Sequence, residues 1–298
     1  MNKQQLQEIL KKQYTQENIN KIMEGYTQKR KTTLRINTIK TNTEEIKETL
    51  KKANIEYTQT KWSKEAIILQ KENEKTIKEM DIYKNGEIYL QSLSSMLPPI
   101  ILKPQEKTDI LDMAAAPGGK TTQIAALSQN KAHITACEKN KIRAERLKYN
   151  IEKQGATSVL IMTKDSRYID DFFSFDQILL DAPCSGSGTL NIEEKSFEND
   201  FTEQLIARSI KAQTALLKKA IKILKKGHEM VYSTCSILSE ENEEVVKKVI
   251  DGANAEIISI NFEGMEELPM LPTQIPGTLC ICPNELYEGF FVAKIRKK

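Results

Sequence analysis

Regular alternation of short apolar segments with amphipathic helical segments dominates the chain after residue 103. Each apolar segment has the length of one β-strand, and the longest helical segment covers 203–226. This order is typical of a largely parallel sheet with helices on both faces, because parallel neighbours need a crossover connection. The sequence therefore predicts an α/β fold with a doubly wound sheet. The predicted strands are DILDM (109–113), HITAC (133–137), VLIMTKD (159–165), FDQILLD (175–181), EMVYSTCS (229–236) and GFFVAKI (289–295).

The amino-terminal third has a different pattern and predicts a separate small α/β module. Residues 86–102 are predicted to form a strand, a small polar loop and a short helix that Pro98 and Pro99 interrupt or begin, and we place the domain boundary near Lys103. Residues 1–103 then form the amino-terminal module and residues 104–298 the larger domain. The predicted elements of the module are one or two helices within 1–30, a strand at 32–40, a helix at 43–55, a strand at 65–70, and a strand and a helix within 86–102.

Positive charge is concentrated in this module. Residues 1–103 carry 19 Lys and Arg against 13 Asp and Glu, whereas the rest of the chain carries 25 against 28. A basic module beside a near-neutral body suggests an anionic polymer such as RNA as partner, and Arg35 and Tyr57 could contact it. A solvated lysine-rich surface is the alternative.

Composition excludes several classes of protein. Hydrophobic residues make up 39% of the chain and charged residues 29%, as in ordinary globular proteins. No apolar run approaches the ~20 residues of a membrane span, so we expect no membrane partner. Five cysteines without a repeated spacing fit a reducing compartment, and we expect a cytoplasmic protein.

The first strand of the larger domain is followed by the segment AAAPGGK (114–120), which opens a helix. Small residues let a ligand approach the backbone, and acids that end the next two strands, Glu138 and Asp165, are placed to meet a ribose or an adenine. S-adenosylmethionine fits this pattern. A nucleoside triphosphate in a phosphate-binding loop is a second hypothesis, although Ala114 replaces its first glycine. A purely structural turn is the third.

Two cysteines and an acid follow neighbouring strands. Asp181 and Cys184 come after the fourth predicted strand and Cys235 after the fifth, so all three should face one crevice. Metal binding is disfavoured, since no Cys-x-x-Cys is present and neither His133 nor His228 has ligand spacing. Ser239 is predicted to cap a helix whose amino terminus favours a thiolate at Cys235. A thiolate that adds to carbon 6 of a pyrimidine activates carbon 5 for methylation.

These motifs resemble the Nop/Sun family of RNA 5-methylcytosine methyltransferases. The resemblance covers about residues 34–298, through LRINTIK, YLQSLSSMLP, LDMAAAPGGKTTQIAA, ILLDAPCSGSGT, VYSTCSILSEENE and EGFFVAKI. It implies a Rossmann-like class I methyltransferase domain preceded by an RNA-recognition-like module. A non-catalytic RNA-binding factor in ribosome assembly, on the same fold, is the alternative.

The resemblance also implies the roles of individual residues. Cys235 is the expected nucleophile, Cys184 the residue that assists product release, and Asp181 faces the cytosine. The substrate is then tRNA or ribosomal RNA, and we expect a monomer that uses no metal. The expected catalytic residues are Cys235, Cys184, Asp181 and Lys120; the expected cofactor contacts are Ala114, Ala115, Ala116, Pro117, Gly118, Gly119, Lys120, Glu138, Asp165 and Asp181.

Overall fold

The computed structural model describes residues 2–194, Phe197 and residues 201–298. Two short helices come first, α1 (Lys3–Lys11) and α2 (Gln16–Gly25). Asn2 and Thr15 cap them, each accepting a hydrogen bond from a backbone N–H of the first turn. The apolar faces of both helices are buried in the core of the larger domain and not in the small module that follows.

Four antiparallel strands build the small module, in the order β2-β3-β1-β4. Its own core lies between the sheet and the helices, and includes Leu34, Ile46 and Ile67. The sequence predicted β1, β3, β4 and α3 but missed the other three elements, which are between three and six residues long. The bounds are β1 (Thr33–Ile36), α3 (Thr43–Lys52), β2 (Tyr57–Gln59), β3 (Ala66–Leu69), α4 (Glu74–Glu79), α5 (Asp81–Lys84) and β4 (Ile88–Leu90).

A larger sheet of nine strands forms the rest of the described structure. Its strands run in the order β11-β12-β13-β9-β8-β5-β6-β7, and β10 pairs with β13. The pairs among β5 to β9 are parallel, and those that involve β10 to β13 are antiparallel. The bounds are β5 (Asp109–Asp112), β6 (His133–Cys137), β7 (Val159–Met162), β8 (Phe175–Asp181), β9 (Leu224–Thr234), β10 (Ala255–Ile258), β11 (Met270–Leu271), β12 (Leu279–Ile281) and β13 (Phe290–Lys297).

Helices cover both faces of this sheet, which confirms the predicted doubly wound fold. Successive strand residues point to opposite faces. Ile178 and Leu180 therefore join one core, with the long helix Glu203–Ile223 and the helix Glu243–Ile250, whereas Leu179 joins the other. That second core is completed by α6 (Leu93–Leu102), α7 (Gly119–Leu127) and α8 (Lys141–Gln154).

Helix α6 packs mainly against the larger sheet, through β8, β9 and β13. Pro98 and Pro99 lie inside it, and it ends at Leu102; the next residue, Lys103, has a left-handed backbone conformation. The domain boundary near Lys103 stays a prediction.

One predicted helix is too long. The pattern indicated a helix over 203–226, but the helix ends at Ile223 and β9 begins at Leu224, opposite Phe175 of β8. Pairing with β8 outweighs the helical tendency of the lysines that follow. None of the helices that the structure describes is long and apolar enough to cross a membrane.

Candidate active site

The carboxyl ends of the parallel strands lie at one edge of the larger sheet. Asp112 ends β5, Cys137 ends β6, Asp181 ends β8 and Thr234 ends β9. Ligands of open α/β sheets bind in the crevice outside these ends. The candidate active site is therefore the crevice at this edge.

Cys184 and Cys235 meet in this crevice, with their Sγ atoms 3.1 Å apart. The strands that carry them, β8 and β9, are parallel neighbours, and Asp181 lies opposite Ser233. Both cysteines are half-buried. The predicted proximity of the two thiols is confirmed, and their roles stay a prediction.

The electrostatic surroundings of the two thiols differ. The pKa of Cys184 is raised well above its usual value by the contact with Cys235 and by burial. Cys184 is therefore a neutral thiol near pH 7. Lys120 lies near Cys235 and interacts electrostatically with it.

Glu241 connects the loop that carries Cys184 to the loop that carries Cys235. It is fully buried, and its carboxylate accepts hydrogen bonds from the backbone N–H of Ser185 (2.7 Å) and the hydroxyl of Ser236 (2.6 Å). Burial raises the pKa of Glu241. The predicted cap at Ser239 is wrong, because Ser239 starts a single 3₁₀ turn and the α-helix begins only at Glu243. A buried carboxylate, and not a helix end, organises these loops.

Lys120 and Asp181 form an ion pair beside the cysteines. The Nζ of Lys120 lies 2.7 Å from Oδ2 of Asp181 and donates to Oγ of Ser95, also at 2.7 Å. The hydroxyl of Ser233 donates to the other carboxylate oxygen, Oδ1, at 2.8 Å. Burial acts to lower the pKa of Lys120, but the charge of Asp181 outweighs it and the net shift is upward. The ion pair thus keeps the ammonium of Lys120 in its charged form.

The segment 114–120 lines a cavity of about 230 Å³ next to this pair. Its backbone is held by α8, since Arg143 donates to the carbonyl of Ala116 and Asn150 to that of Pro117. A Cβ on Gly119 would lie 3.1 Å from the ring of Tyr89, so glycine keeps this cavity open. The cavity is lined by Tyr89, Leu90, Gln91, Ser92, Ser95, Asp112, Ala114, Ala115, Ala116, Pro117, Gly119, Lys120 and Asp181.

A second cavity of about 80 Å³ shares Ala114 with the first and contains Glu138 and Asp165. Glu138 is nearly buried, and its carboxylate accepts from the backbone N–H of Asn140 at 2.8 Å. Asp165 is held by Arg167, whose guanidinium lowers the pKa of that carboxyl. The two cavities together bring most of the predicted cofactor contacts into one crevice. Gly118 does not line either cavity; it adopts φ +109° at the start of α7, a conformation that favours glycine.

Asp112 was missed by the sequence analysis. It ends β5 as Asp181 ends β8, which is the signal that could have identified it. Its carboxylate accepts from the hydroxyl of Thr121 at 2.7 Å, and burial raises its pKa to about 6. Tyr89 and Ser95, also missed, come from the amino-terminal third, and nothing in the local sequence indicates that they reach this crevice.

Arg35 is buried between the small sheet and α7, which excludes the predicted contact with RNA. Its guanidinium donates to the carbonyl of Gly119 and to Oε1 of Gln91, both at 2.6 Å, and to the hydroxyl of Thr122 at 3.0 Å. Only 3% of its surface is exposed. Arg35 therefore connects the small module to the helix that opens the cofactor segment.

Among the residues that the structure describes, no group of three or more His, Cys, Asp or Glu side chains is arranged to hold a metal ion. The expectation that the protein uses no metal stays a prediction.

A family model described as 16S rRNA methyltransferase RsmB/F matches residues 99–296, and the corresponding ferredoxin-like domain model matches residues 4–75. The tRNA (cytosine(72)-C(5))-methyltransferase of Pyrococcus horikoshii is 39% identical over 225 residues, 74% of this chain and 55% of that protein. The tRNA (cytosine(49)-C(5))-methyltransferase of Pyrococcus abyssi is 34% identical, with 89% and 87% of the two chains covered.

The fold also matches solved structures. The structure described as NSun6 from Pyrococcus horikoshii with SFG superposes with a TM-score of 0.85 at 26% identity, over 97% of both chains. The chain spans only about half the length of some curated relatives. It covers 55% of the tRNA (cytosine(72)-C(5))-methyltransferase of Pyrococcus horikoshii.

Proposed function

Because this chain belongs to the RsmB/F methyltransferase family, we propose that it methylates carbon 5 of a cytosine in tRNA or ribosomal RNA. The observation that carries the proposal is the meeting of two thiols, 3.1 Å apart, beside the Lys120–Asp181 pair. Relatives described as tRNA and ribosomal RNA methyltransferases support both classes of substrate.

S-adenosylmethionine, when bound, supplies the methyl group. The two cavities that share Ala114 fit its elongated shape, and the NSun6 structure, described with SFG, a cofactor analogue, supports this choice. We propose that Glu138 accepts hydrogen bonds from the ribose hydroxyls and that Asp165 borders the adenine side. The segment 114–120, with Asp181, borders the methionine side.

Cys235 is the proposed nucleophile. Its thiolate forms a bond to carbon 6 of the cytosine, and the electrons of the carbon 5–carbon 6 double bond become available at carbon 5. The Lys120 ammonium lies close enough to this sulfur to interact with it electrostatically. Because Cys184 keeps its proton, its S–H can donate a hydrogen bond to the sulfur of Cys235 and stabilise the negative charge of that thiolate.

Asp181 is proposed to bind the cytosine edge around ring nitrogen 3. Lys120 and Ser233 hold its carboxylate in place before the base arrives, so little reorganisation is needed during the reaction. Lys120 thus has two proposed roles: it orients Asp181, and it supplies positive charge near the thiols.

Cys184 is proposed to assist product release. After methyl transfer the proton on carbon 5 passes to water, the electrons of that C–H bond restore the carbon 5–carbon 6 double bond, and the sulfur of Cys235 leaves carbon 6 as a thiolate. A second sulfur 3.1 Å from the first is within reach of this step. Because the pKa of Cys184 is raised, its thiol keeps its proton, and its S–H can donate a hydrogen bond to the departing sulfur of Cys235 without itself attacking the base.

We further propose that the enzyme acts in the cytoplasm as a monomer, without a metal or a membrane partner. The excess of Lys and Arg in residues 1–103 supports RNA as the partner. All five cysteines are free in the structure, which suits a reducing compartment. We also keep the division into 1–103 and 104–298 as a proposal. Sedimentation of the purified protein tests the oligomeric state.

Alanine variants of the two cysteines test the mechanism. Cys235→Ala should abolish methylation and leave cofactor affinity within about twofold, because the thiol contacts the base. Cys184→Ala should accumulate a covalent protein–RNA adduct, visible as a shifted band on a denaturing gel. Cys282→Ala, which replaces a buried thiol outside the crevice, is the matched control and should methylate normally. Full turnover by Cys184→Ala without an adduct would contradict the proposed role of Cys184 in product release.

Bisulfite sequencing of tRNA and ribosomal RNA from cells with and without the protein tests the reaction itself. Loss of one protected cytosine in the deleted strain is the expected result, and it also identifies the substrate. Unchanged methylation, with RNA binding retained by the purified protein, would favour the non-catalytic RNA-binding factor instead.

A further inference from the structure

A further cavity beside the active site lies on the small module and is bordered by Leu286 and Glu288. It has a volume of about 760 Å³ and meets the cofactor cavity at Leu90, Gln91 and Ser92, which line both. We call it the basic groove. It is lined by Lys29, Arg30, Lys31, Thr32, Thr33, Asn73, Glu74, Lys75, Leu90, Gln91, Ser92, Leu286 and Glu288.

Positive charge prevails in this groove, since four of its lining residues are Lys or Arg and two are Glu. One of the acids, Glu288, already accepts a hydrogen bond from Ser92 at 2.8 Å. Lys29 and Lys75 are exposed and open to solvent. The groove therefore presents mobile ammonium groups to a ligand with several negative charges.

The groove contacts the loop that follows Cys184. The guanidinium of Arg30 lies 3.5 Å from the carbonyl of Gly188, to which it donates. The N–H of Gly188 in turn donates to the carbonyl of Cys235 at 2.9 Å. The Nε of Arg30 is buried and has no hydrogen-bond partner among the described residues. A ligand in the groove would thus lie next to a base in the crevice.

We propose that the basic groove binds the sugar–phosphate backbone of the single-stranded RNA next to the target cytosine. This inference rests on the proposed function. A cytosine inside a duplex cannot reach the thiols, so the target nucleotide must be unstacked, and its neighbours follow it to the protein surface. Lys29, Arg30 and Lys75 then neutralise phosphates of those neighbours.

The lining also indicates how selective the groove is. Among the described residues that line the groove there is no Phe, Tyr, Trp or His, so this lining offers no ring on which a base could stack. Phosphate contacts set position without reading sequence. The groove should therefore bind single strands of different sequence with similar affinity, and choose its target by exposure of the strand.

The test compares the wild type with Lys29→Ala/Lys75→Ala. Both lysines are exposed, so the variant should fold. The control is Lys51→Ala/Lys52→Ala, which removes the same charge from exposed positions on α3 outside the groove. Binding of a labelled 12-nucleotide single-stranded RNA is measured by fluorescence anisotropy between 50 and 300 mM salt. Initial rates are measured on RNA from cells that lack the protein.

Loss of two phosphate contacts should make the slope of log K against log salt less negative by about 1.4, since each contact to a single strand contributes about 0.7. The KM for RNA should rise about tenfold, while kcat and cofactor affinity stay unchanged. The control should keep the wild-type slope and KM.

An unchanged slope, or equal effects in variant and control, would overturn the groove proposal while wild-type methylation stands. A fall in kcat with unchanged RNA binding would overturn it as well. Failure of the wild type to methylate any RNA would refute the proposed function instead, and the salt slopes would still decide where RNA binds.

Discussion

Replacement of Arg35 by methionine should destabilise the protein and weaken cofactor binding together. Methionine fills much of the same volume but removes the guanidinium that bridges the small sheet and α7. The carbonyl of Gly119 then loses the donor that lies 2.6 Å away. Oε1 of Gln91 also loses its donor at 2.6 Å, although the side-chain amide N–H of Gln91 still donates to Gln123 at 3.1 Å.

The magnitude follows from the bonds that are lost. Hydrogen bonds with one charged partner contribute roughly 1.5–3 kcal/mol each, and a buried acceptor left without a donor costs about 1–3 kcal/mol. Burial lowers the pKa of Arg35 to about 10, a sign that the charge itself is costly to bury, and its removal offsets part of the loss. We expect a net decrease of about 2–4 kcal/mol in the free energy of unfolding.

Urea unfolding measures this decrease, and isothermal calorimetry measures cofactor affinity. Because Arg35 holds the first turn of α7, we expect the Kd for S-adenosylmethionine to rise about tenfold, equivalent to about 1.4 kcal/mol. Arg35→Lys keeps the charge but cannot reach Gly119 and Thr122 together, so its loss should be intermediate. Arg146→Met, at an exposed position on α8, is the control. A decrease below about 1 kcal/mol for Arg35→Met, with unchanged affinity, would refute the reasoning.

Two further substitutions test the crevice itself. Because burial raises the pKa of Asp112 to about 6, the native state retains a proton that the unfolded chain has released between about pH 4 and pH 6, and stability falls as pH rises through that range. Asp112→Asn removes this pH dependence. From pH 4 to pH 7, urea unfolding should therefore show the stability of the variant rising relative to that of the wild type by up to about 3 kcal/mol. A difference in stability that stays constant over this pH range would contradict the assignment. Gly188→Ala should abolish methylation and lower the melting temperature, because its Cβ would lie 1.8 Å from the carbonyl oxygen of Gly289. Gly252→Ala meets only one atom within 4 Å, at 3.9 Å, and should leave methylation intact; equal activity of both variants would show that the cysteine loop tolerates displacement.

The proximity of Cys184 and Cys235 could be predicted because it needs only strand order. Each follows a recognisable apolar strand, and parallel neighbours end at the same edge. The environment of Arg35 could not be predicted in this way. All four residues of β1 are buried, so the alternation that would distinguish an exposed face from a buried one is absent.

The short strands at the antiparallel end of the large sheet were missed for a related reason. β11 has two residues and β12 three, and they are strands only because β12 pairs with β13 and β11 pairs with β12. The contribution of Glu241 was equally hidden, since an acid in an acidic run usually lies in solvent. Only the fold brings the serines of both cysteine loops to it.

The position of the first two helices has a consequence for synthesis of the chain. Gln13 and Tyr14 donate to the carbonyl of Ile237, which lies more than 220 residues further along the chain. At about 5–20 residues per second, a ribosome needs roughly 10–45 s to make the intervening segment. During that interval the apolar faces of α1 and α2 are without their native partners. We therefore expect a nascent chain of this protein to need chaperone protection at its amino terminus until the last strands have emerged.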